Sequence, residues 1–309
     1  MRTLTMKTFH HIIAAVDFTP SCLRALREAA RRASLDHAAV TAVHVMDEFL
    51  VHELKAALFT SEAAVRAEWE AKLRKFVDSS GAGGAAIKTE VRVGHPYVEL
   101  VEACHSHNAD LLVMGDKGSE SGPHHIGAIA AKCIRKAPVD VLIVRHDVET
   151  PFQRVVACVD LSENSAKAVQ FALHLATQDK AQLDCVHIYQ SALAMAMDYG
   201  GFVTPMAPVV TDEEALKSWE GELGRFLEPL LRNTEGIAVQ QHVIEQINVR
   251  DAIVDYAIAQ KADLVVLGTR GKGVLRHMLI GTTAEKIVQR APCSILAVKP
   301  DALVASADS

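Results

Sequence analysis

The stretch GTRGKGVLRHMLIGTT sets Gly268 and Gly271 three positions apart, then nine residues, then Gly281 followed by Thr282 and Thr283. A glycine carries no Cβ to keep an anion off the main chain, and positive φ lets successive N–H groups converge on one anion-binding nest. Gly268 and Gly271 are placed to supply such a nest. Gly281, Thr282 and Thr283 open a helix, whose first-turn amides and dipole favour another phosphate contact. Arg270, Lys272 and Arg276 add positive charge. The chemistry this loop suits is the holding of a polyphosphate. A Gly-x-x-Gly pair alone is more often a plain turn; the Gly-Thr pair at a helix start nine residues on raises this one above that.

The loop needs elements to position it, and an internal repeat supplies them. HIIAAVDFTPS matches RVVACVDLSEN and pairs Asp17 with Asp160; TAVHVMD matches LDCVHIY and pairs His44 with His187. EWEAKLRKF matches SWEGELGRF, ADLLVMGDKG matches ADLVVLGTRG, and KAPVDVLIVRH matches RAPCSILAVKP. Two copies of one fold are expected, with domains at 1–149 and 150–309 joined by the short DVETPFQ. In each copy short β-rich runs alternate with helical periodicity, five times over. That predicts two tandem doubly wound, five-stranded parallel α/β sheets covered on both faces. The first helix, CLRALREAARRA, is read as capped by Thr19 with Pro20 at its first position. The second copy carries an extra Met-, Gly- and Pro-rich segment around Met195 to Pro208, read as a lid or an interface loop.

In such sheets ligands lie beyond the carboxyl ends of the strands, where strand order reverses. That selects Asp160 and Ile188, at the ends of strands one and two of the second copy, beside the glycine loop. Neither G-x-x-x-x-G-K-[ST] nor G-x-G-x-x-G after a first strand is present, so the loop is not a P-loop or a dinucleotide fingerprint. Asp160 has a bland alternative as a turn residue before SENSAKAV, and Ile188 as ordinary core.

On Gly268, Gly271, Gly281 and Thr282, with this spacing, the sequence resembles the universal stress protein family, whose ATP-binding members carry Gly-x-x-Gly, nine residues, then Gly-Ser or Gly-Thr. The resemblance covers nearly the whole chain as a tandem pair. It implies a Rossmann-like, adenine nucleotide alpha hydrolase-like fold and ATP as ligand, with or without Mg. It further implies that Asp160 meets the ribose side or a metal on the phosphates, and that Ile188 holds adenine through its backbone. Members commonly dimerise through their last strands, so VDVLIVR and CSILAVK are expected to pair within this chain as a pseudo-dimer, with a homodimer open beyond that.

The first copy departs from the pattern. Gly115 and Gly118 remain, but eight residues separate Gly118 from Gly127, and Ala128 stands where a hydroxyl is expected. Asp116 and Glu120 bring negative charge. A lost hydrogen bond to a charged group costs ~1.5–3 kcal/mol, so Ala128 alone weakens phosphate binding about tenfold or more. This site is expected not to hold ATP, while Asp17, Val45 and the glycines keep a pocket for another small ligand.

The remaining signals narrow the function. Net charge is −6 and half the residues are hydrophobic. No long basic run invites nucleic acid or an anionic membrane, and no leader or spanning segment is recognised, so a cytoplasmic protein is expected. The six cysteines are scattered and read as reduced core residues. Cys104, His105 and His107, or His124 with His125, lack zinc-like spacing, and no metal site is assigned. Trp69 with Leu73 and Phe76, and Trp219 with Leu223 and Phe226, read as apolar helix stripes. No acid/base pair or activated nucleophile is evident, so no catalytic residue is assigned. The expected function is nucleotide-dependent regulation in a stress response. The alternatives are a slow Mg-dependent ATPase, or a scaffold for a protein or apolar ligand with vestigial sites.

Overall fold

The computed structural model describes residues 8–58, 61–83, 86–116, 126–145, 151–190, 212–232, 234, 236–246, 248–271 and 281–301. The chain divides into two compact units, one grouping Thr8–Thr150 with the last strand and the other built from Pro151–Cys293. In the first, strands β1 (His11–Ala15), β2 (Ala39–Met46), β3 (Ile87–Val93), β4 (Leu111–Gly115) and β5 (Asp140–Val144) lie in the order β3-β2-β1-β4-β5, all parallel. Between them run α1 (Pro20–Asp36), α2 (Glu48–Leu58), α3 (Glu62–Ser79), α4 (Pro96–Ser106) and α5 (Ala128–Lys136). The second unit repeats this with β6 (Arg154–Val159), β7 (Gln182–Tyr189), β8 (Val239–Glu245) and β9 (Leu264–Gly268), ordered β9-β6-β7-β8 and parallel. Its helices are α6 (Glu163–Asp179), α7 (Asp212–Leu227), α8 (Val249–Ala259) and α9 (Thr282–Arg290).

Central strands are apolar on both faces because helices cover both: Ile12, Ile13, Ala14, Leu111, Leu112 and Val113 are fully buried in the first unit, and Val155, Val156, Ala157, Leu264, Val265 and Val266 in the second. The β1–β4 and β6–β9 neighbours mark the point where strand order reverses. Thr19 caps α1 and Pro20 occupies its first turn, as read from sequence. The sequence reading passed over α2, EFLVHELKAAL, which starts where the Asp47 carboxylate accepts the Phe49 amide at 2.9 Å.

The last strand, β10 (Ser294–Val298), pairs antiparallel with β5, matching Ile295 to Ile143 and Ala297 to Val141. The expected pairing of VDVLIVR with CSILAVK is therefore present, and it makes the sheet mixed rather than purely parallel. Side chains pin both ends of this ladder: Asp140 accepts the Lys299 amide at 2.7 Å, and Ser294 Oγ accepts the Arg145 amide at 3.1 Å. Lys299 is fully buried and its ammonium donates to the Ile134 carbonyl. A strand edge matched this way offers no open template for aggregation.

Candidate functional site

Both copies build the same backbone frame at the carboxyl ends of their strands. β7 runs two residues, Ile188 and Tyr189, past the end of its ladder with β6 while staying paired to β8. Ile188 therefore presents main chain that β6 does not claim. The last carbonyl of β6, at Val159, is instead met by His187 Nδ1 at 2.8 Å; in the first copy His44 Nδ1 meets Val16 in the same way at 2.7 Å. The next residue is the strand-ending aspartate. Asp160 Oδ1 accepts the Ser162 amide at 3.0 Å, so this carboxylate does fill the turn role allowed for it. Asp17 does the same with the Thr19 amide and hydroxyl, at 3.0 and 2.6 Å. Between aspartate and cap, Leu161 and Phe18 take left-handed backbone, at φ 59° and 63°.

Of the two reasons expected for these glycines, positive φ is not met. Neither Gly268 nor Gly271 has positive φ, which among the described glycines occurs only at Gly81, Gly94 and Gly236. What they provide is room. A Cβ on Gly268 would lie 2.7 Å from Asn164 Nδ2, because the start of α6 packs directly on the end of β9. A Cβ on Gly271 would lie 2.3 Å from Asp160 Oδ2, so the loop after β9 folds down onto the strand-ending carboxylate. Asn164 Nδ2 also donates to the Arg270 carbonyl at 3.2 Å, tying the loop to α6. Gly281 then returns the chain, its amide donating to the Thr269 carbonyl at 2.8 Å.

Gly281 is the N-cap of α9. It makes no side-chain cap bond, and neither does Gly127 at the start of α5. Thr19, Ser61, His95, Ser162 and Asn248 all cap their helices through a side chain. The first-turn amides of α9, from Thr282 and Thr283 on, thus receive no bond from the cap residue's side chain, and the positive end of the helix dipole lies at the strand ends. Asp160, Ile188, Gly268, Arg270, Gly271, Gly281, Thr282 and Thr283 come together here at the ends of β6, β7 and β9. Lys272, Arg276 and the segment around Met195 to Pro208 lie outside the described residues.

In the first copy Gly115 repeats the close approach: a Cβ there would meet Ser21 Oγ at 2.5 Å and the Ser21 backbone at 2.8 Å. Gly127 donates to the Asp116 carbonyl at 2.8 Å, matching the Gly281 bond and fixing Asp116 as the counterpart of Thr269. Both residues are buried, but Asp116 is a carboxylate, held by the Ser21 hydroxyl at 2.6 Å. The Phe18 ring packs on the strand-end histidine of this copy. It lies 4.6 Å from His44, 5.8 Å from Trp69 and 5.3 Å edge-on from Phe76, with Lys72 Nζ 4.4 Å above it and 3.9 Å above Trp69. Burial, with the Lys72 ammonium adding, holds His44 below the usual imidazole range against the pull of the Val16 carbonyl and Asp17. Val45 is half-buried beside this cluster, Ala128 is exposed, and Gly118 lies outside the described residues.

The tryptophans were read as core stripes; Leu73 and Leu223 are core, but both rings are half-buried and lie against the strand-end histidines, Trp219 at 5.0 Å from His187. Sequence reading passed over these histidines as site residues, although the repeat had aligned them. Elsewhere, burial pushes the Cys104 thiol well up, and His107 is engaged by Glu90 at 2.6 Å. All six cysteines are free thiols. Among the described residues no group of three or more His, Cys, Asp or Glu is arranged to hold a metal, and no helix is long and apolar enough to cross a membrane.

Comparison with known proteins agrees with the repeat. The sequence pattern of the Universal stress protein family matches residues 8–145 and again 151–299. A universal stress protein of Mycolicibacterium smegmatis is 26% identical over 306 residues, covering 95% of this chain and 98% of its own. One from Mycobacterium tuberculosis is 22% identical over 305 residues, covering 93% and 96%. Among solved structures, a universal stress protein from Archaeoglobus fulgidus superposes with a TM-score of 0.65 at 17% identity, covering 96% of this chain and 98% of its own, a likeness of fold.

Proposed function

The chain belongs to the universal stress protein family, and on that premise we propose that it binds ATP in its second copy and works as a nucleotide-dependent regulatory module. The carrying observation is α9, which starts at Gly281 with no side-chain cap, so its first-turn amides are available to an anion. The loop beside it is held close by the Asp160–Gly271 approach and carries Arg270. In this reading the phosphates lie on Gly271, Arg270 and the amides of Thr282 and Thr283. The Asp160 carboxylate accepts from ribose hydroxyls or holds a Mg ion on the phosphates, and the main chain of Ile188 reads the base edge. The regulatory role follows from linkage: a ligand that binds only the folded cleft shifts the population of its conformers and raises its stability by RT ln(1 + [L]/Kd).

The test is a melting curve with and without ATP, on the parent and on Gly281→Val. Gly281 sits at φ −73°, ψ 148°, which valine adopts without strain. The substitution therefore asks no strained backbone of the cap and adds a branched side chain at the start of α9. At ATP a hundredfold above Kd the parent gains about 2.7 kcal/mol, and Gly281→Val gains none. An equal shift in both proteins would place the nucleotide elsewhere.

A further inference from the structure

His187 lies on β7 opposite Val159, the last residue of β6. A carbonyl only accepts, so the 2.8 Å contact with Val159 puts the proton on Nδ1, and the neutral ring presents Nε2 as a bare lone pair on its other side. The residue is 7% exposed, and Nε2 is fully buried with no hydrogen-bond partner among the described residues. A buried acceptor left unmade is costly, and native proteins keep few of them without a use.

The surroundings indicate the use. Asp160 follows Val159 and Ile188 follows His187, so the histidine sits in the chain beside both strand-end residues assigned to the nucleotide. Its neighbours are aromatic: Trp219 at 5.0 Å from the ring, with Tyr189 stacked on Trp219 at 5.9 Å. The first copy supplies the contrast. His44 makes the same carbonyl contact, but Phe18 lies 4.6 Å against one side of it and Trp69 stacks nearly parallel, at 11°, 5.0 Å away. In the second copy the place of Phe18 is taken by Leu161, and among the described residues Trp219 is the ring recorded against the histidine.

We propose that His187 Nε2 is the acceptor that selects the base in the second cleft, taking a hydrogen bond from the exocyclic amino group of a 6-aminopurine. This rests on the reading that the second copy binds ATP, and deepens it from phosphate recognition to base recognition. The aromatic neighbours suit the face of a purine, while the Asp160 carboxylate suits hydroxyls. A purine without the amino group leaves Nε2 unmet, and a 6-oxopurine opposes it with a second acceptor.

Calorimetric titration of ATP, purine riboside triphosphate and 2′-deoxy-ATP into the parent and into His187→Asn tests this. Asparagine keeps a side-chain N–H for the Val159 carbonyl and removes the Nε2 acceptor. The parent is expected to prefer ATP over purine riboside triphosphate by about tenfold or more. His187→Asn is expected to bind both equally, at the weaker affinity. Equal affinities in the parent, a comparison that needs no variant, overturn the inference while leaving ATP binding intact. So does a preference that survives in His187→Asn. If the substitution instead removes discrimination against 2′-deoxy-ATP, the acceptor serves the sugar and the base assignment falls. A parent that binds none of the three refutes the nucleotide reading itself.

Discussion

The first and second clefts share a frame and differ in what fills it. Each has a strand-ending aspartate in a turn, a histidine meeting the last carbonyl of the first strand, a glycine against the first helix, and a glycine-capped final helix. In the second the contact between loop and first helix runs through neutral groups, Asn164 with the Arg270 carbonyl, and Thr269 is buried. In the first it runs through Ser21 and the buried Asp116 carboxylate, and Phe18 packs against His44. A shared fold therefore leaves room for different ligands: a buried carboxylate and an aromatic ring stand in the first copy where the second has Thr269 and Leu161.

The largest effect is expected where this contrast is sharpest. Gly271→Val forces the Asp160 carboxylate away from a position 2.3 Å from the new Cβ. At the few kcal/mol that overpacking costs, ATP affinity falls about a hundredfold. Gly115→Ala makes a clash in the first copy, at 2.5 Å from Ser21 Oγ and 2.8 Å from the Ser21 backbone. It is expected to lower stability to urea by about 1–3 kcal/mol and leave ATP affinity unchanged. Calorimetry and urea titration on the pair would break the comparison if both variants lost ATP, or neither did.

A smaller effect runs the other way. Asp116→Thr with Ala128→Thr, placed in the Gly271→Val background, removes the buried charge and restores a hydroxyl at the start of α5. Binding of ATP by the first cleft is expected to strengthen about tenfold or more, the reverse of losing one charged hydrogen bond. Calorimetry that finds no change would mean that Phe18, not Asp116, keeps nucleotide out.

The smallest effect is one of pH. His44 is held below its ordinary value of 6.5, so the unfolded chain takes up a proton that the folded first unit resists. Its stability is complete above about pH 6.5 and falls as pH drops below that, towards the lowered folded value. His11, lowered by burial and then by His107 and Lys88, adds in the same direction. With Trp219→Phe in the background, Trp69 emission reports unfolding of this unit alone. Urea midpoints between pH 8 and pH 5.5 are expected to fall, and to fall less with His44→Asn. A midpoint that rises as pH drops would refute the sign.

The repeat, the strand and helix alternation and the positions of Asp160, Ile188 and the glycine loop were legible in the sequence, because hydrophobic period and motif spacing are local signals. What those glycines are for was not. Their backbone is ordinary, and the need for them comes from Asn164 and Asp160, more than a hundred residues away in the chain, which only the fold brings near. The same holds for the histidines. The repeat aligned His44 with His187, but their contacts with Val16 and Val159 depend on strand register, and the different neighbours of their rings depend on helix packing. α2 was missed because it starts one residue after β2, leaving no loop to mark its beginning. The β5–β10 pairing was anticipated from family likeness and from the need to close an edge; its side-chain pins, Asp140 and Ser294, carry no pattern that composition or period reveals.

The most direct test of the contrast between the clefts is a count of bound nucleotide. Equilibrium dialysis of the full chain against radiolabelled ATP, at saturation, should give one ATP per chain. Two per chain would mean that the buried Asp116 and the Phe18 ring exclude nothing, and none would leave the uncapped α9 amides without their ligand.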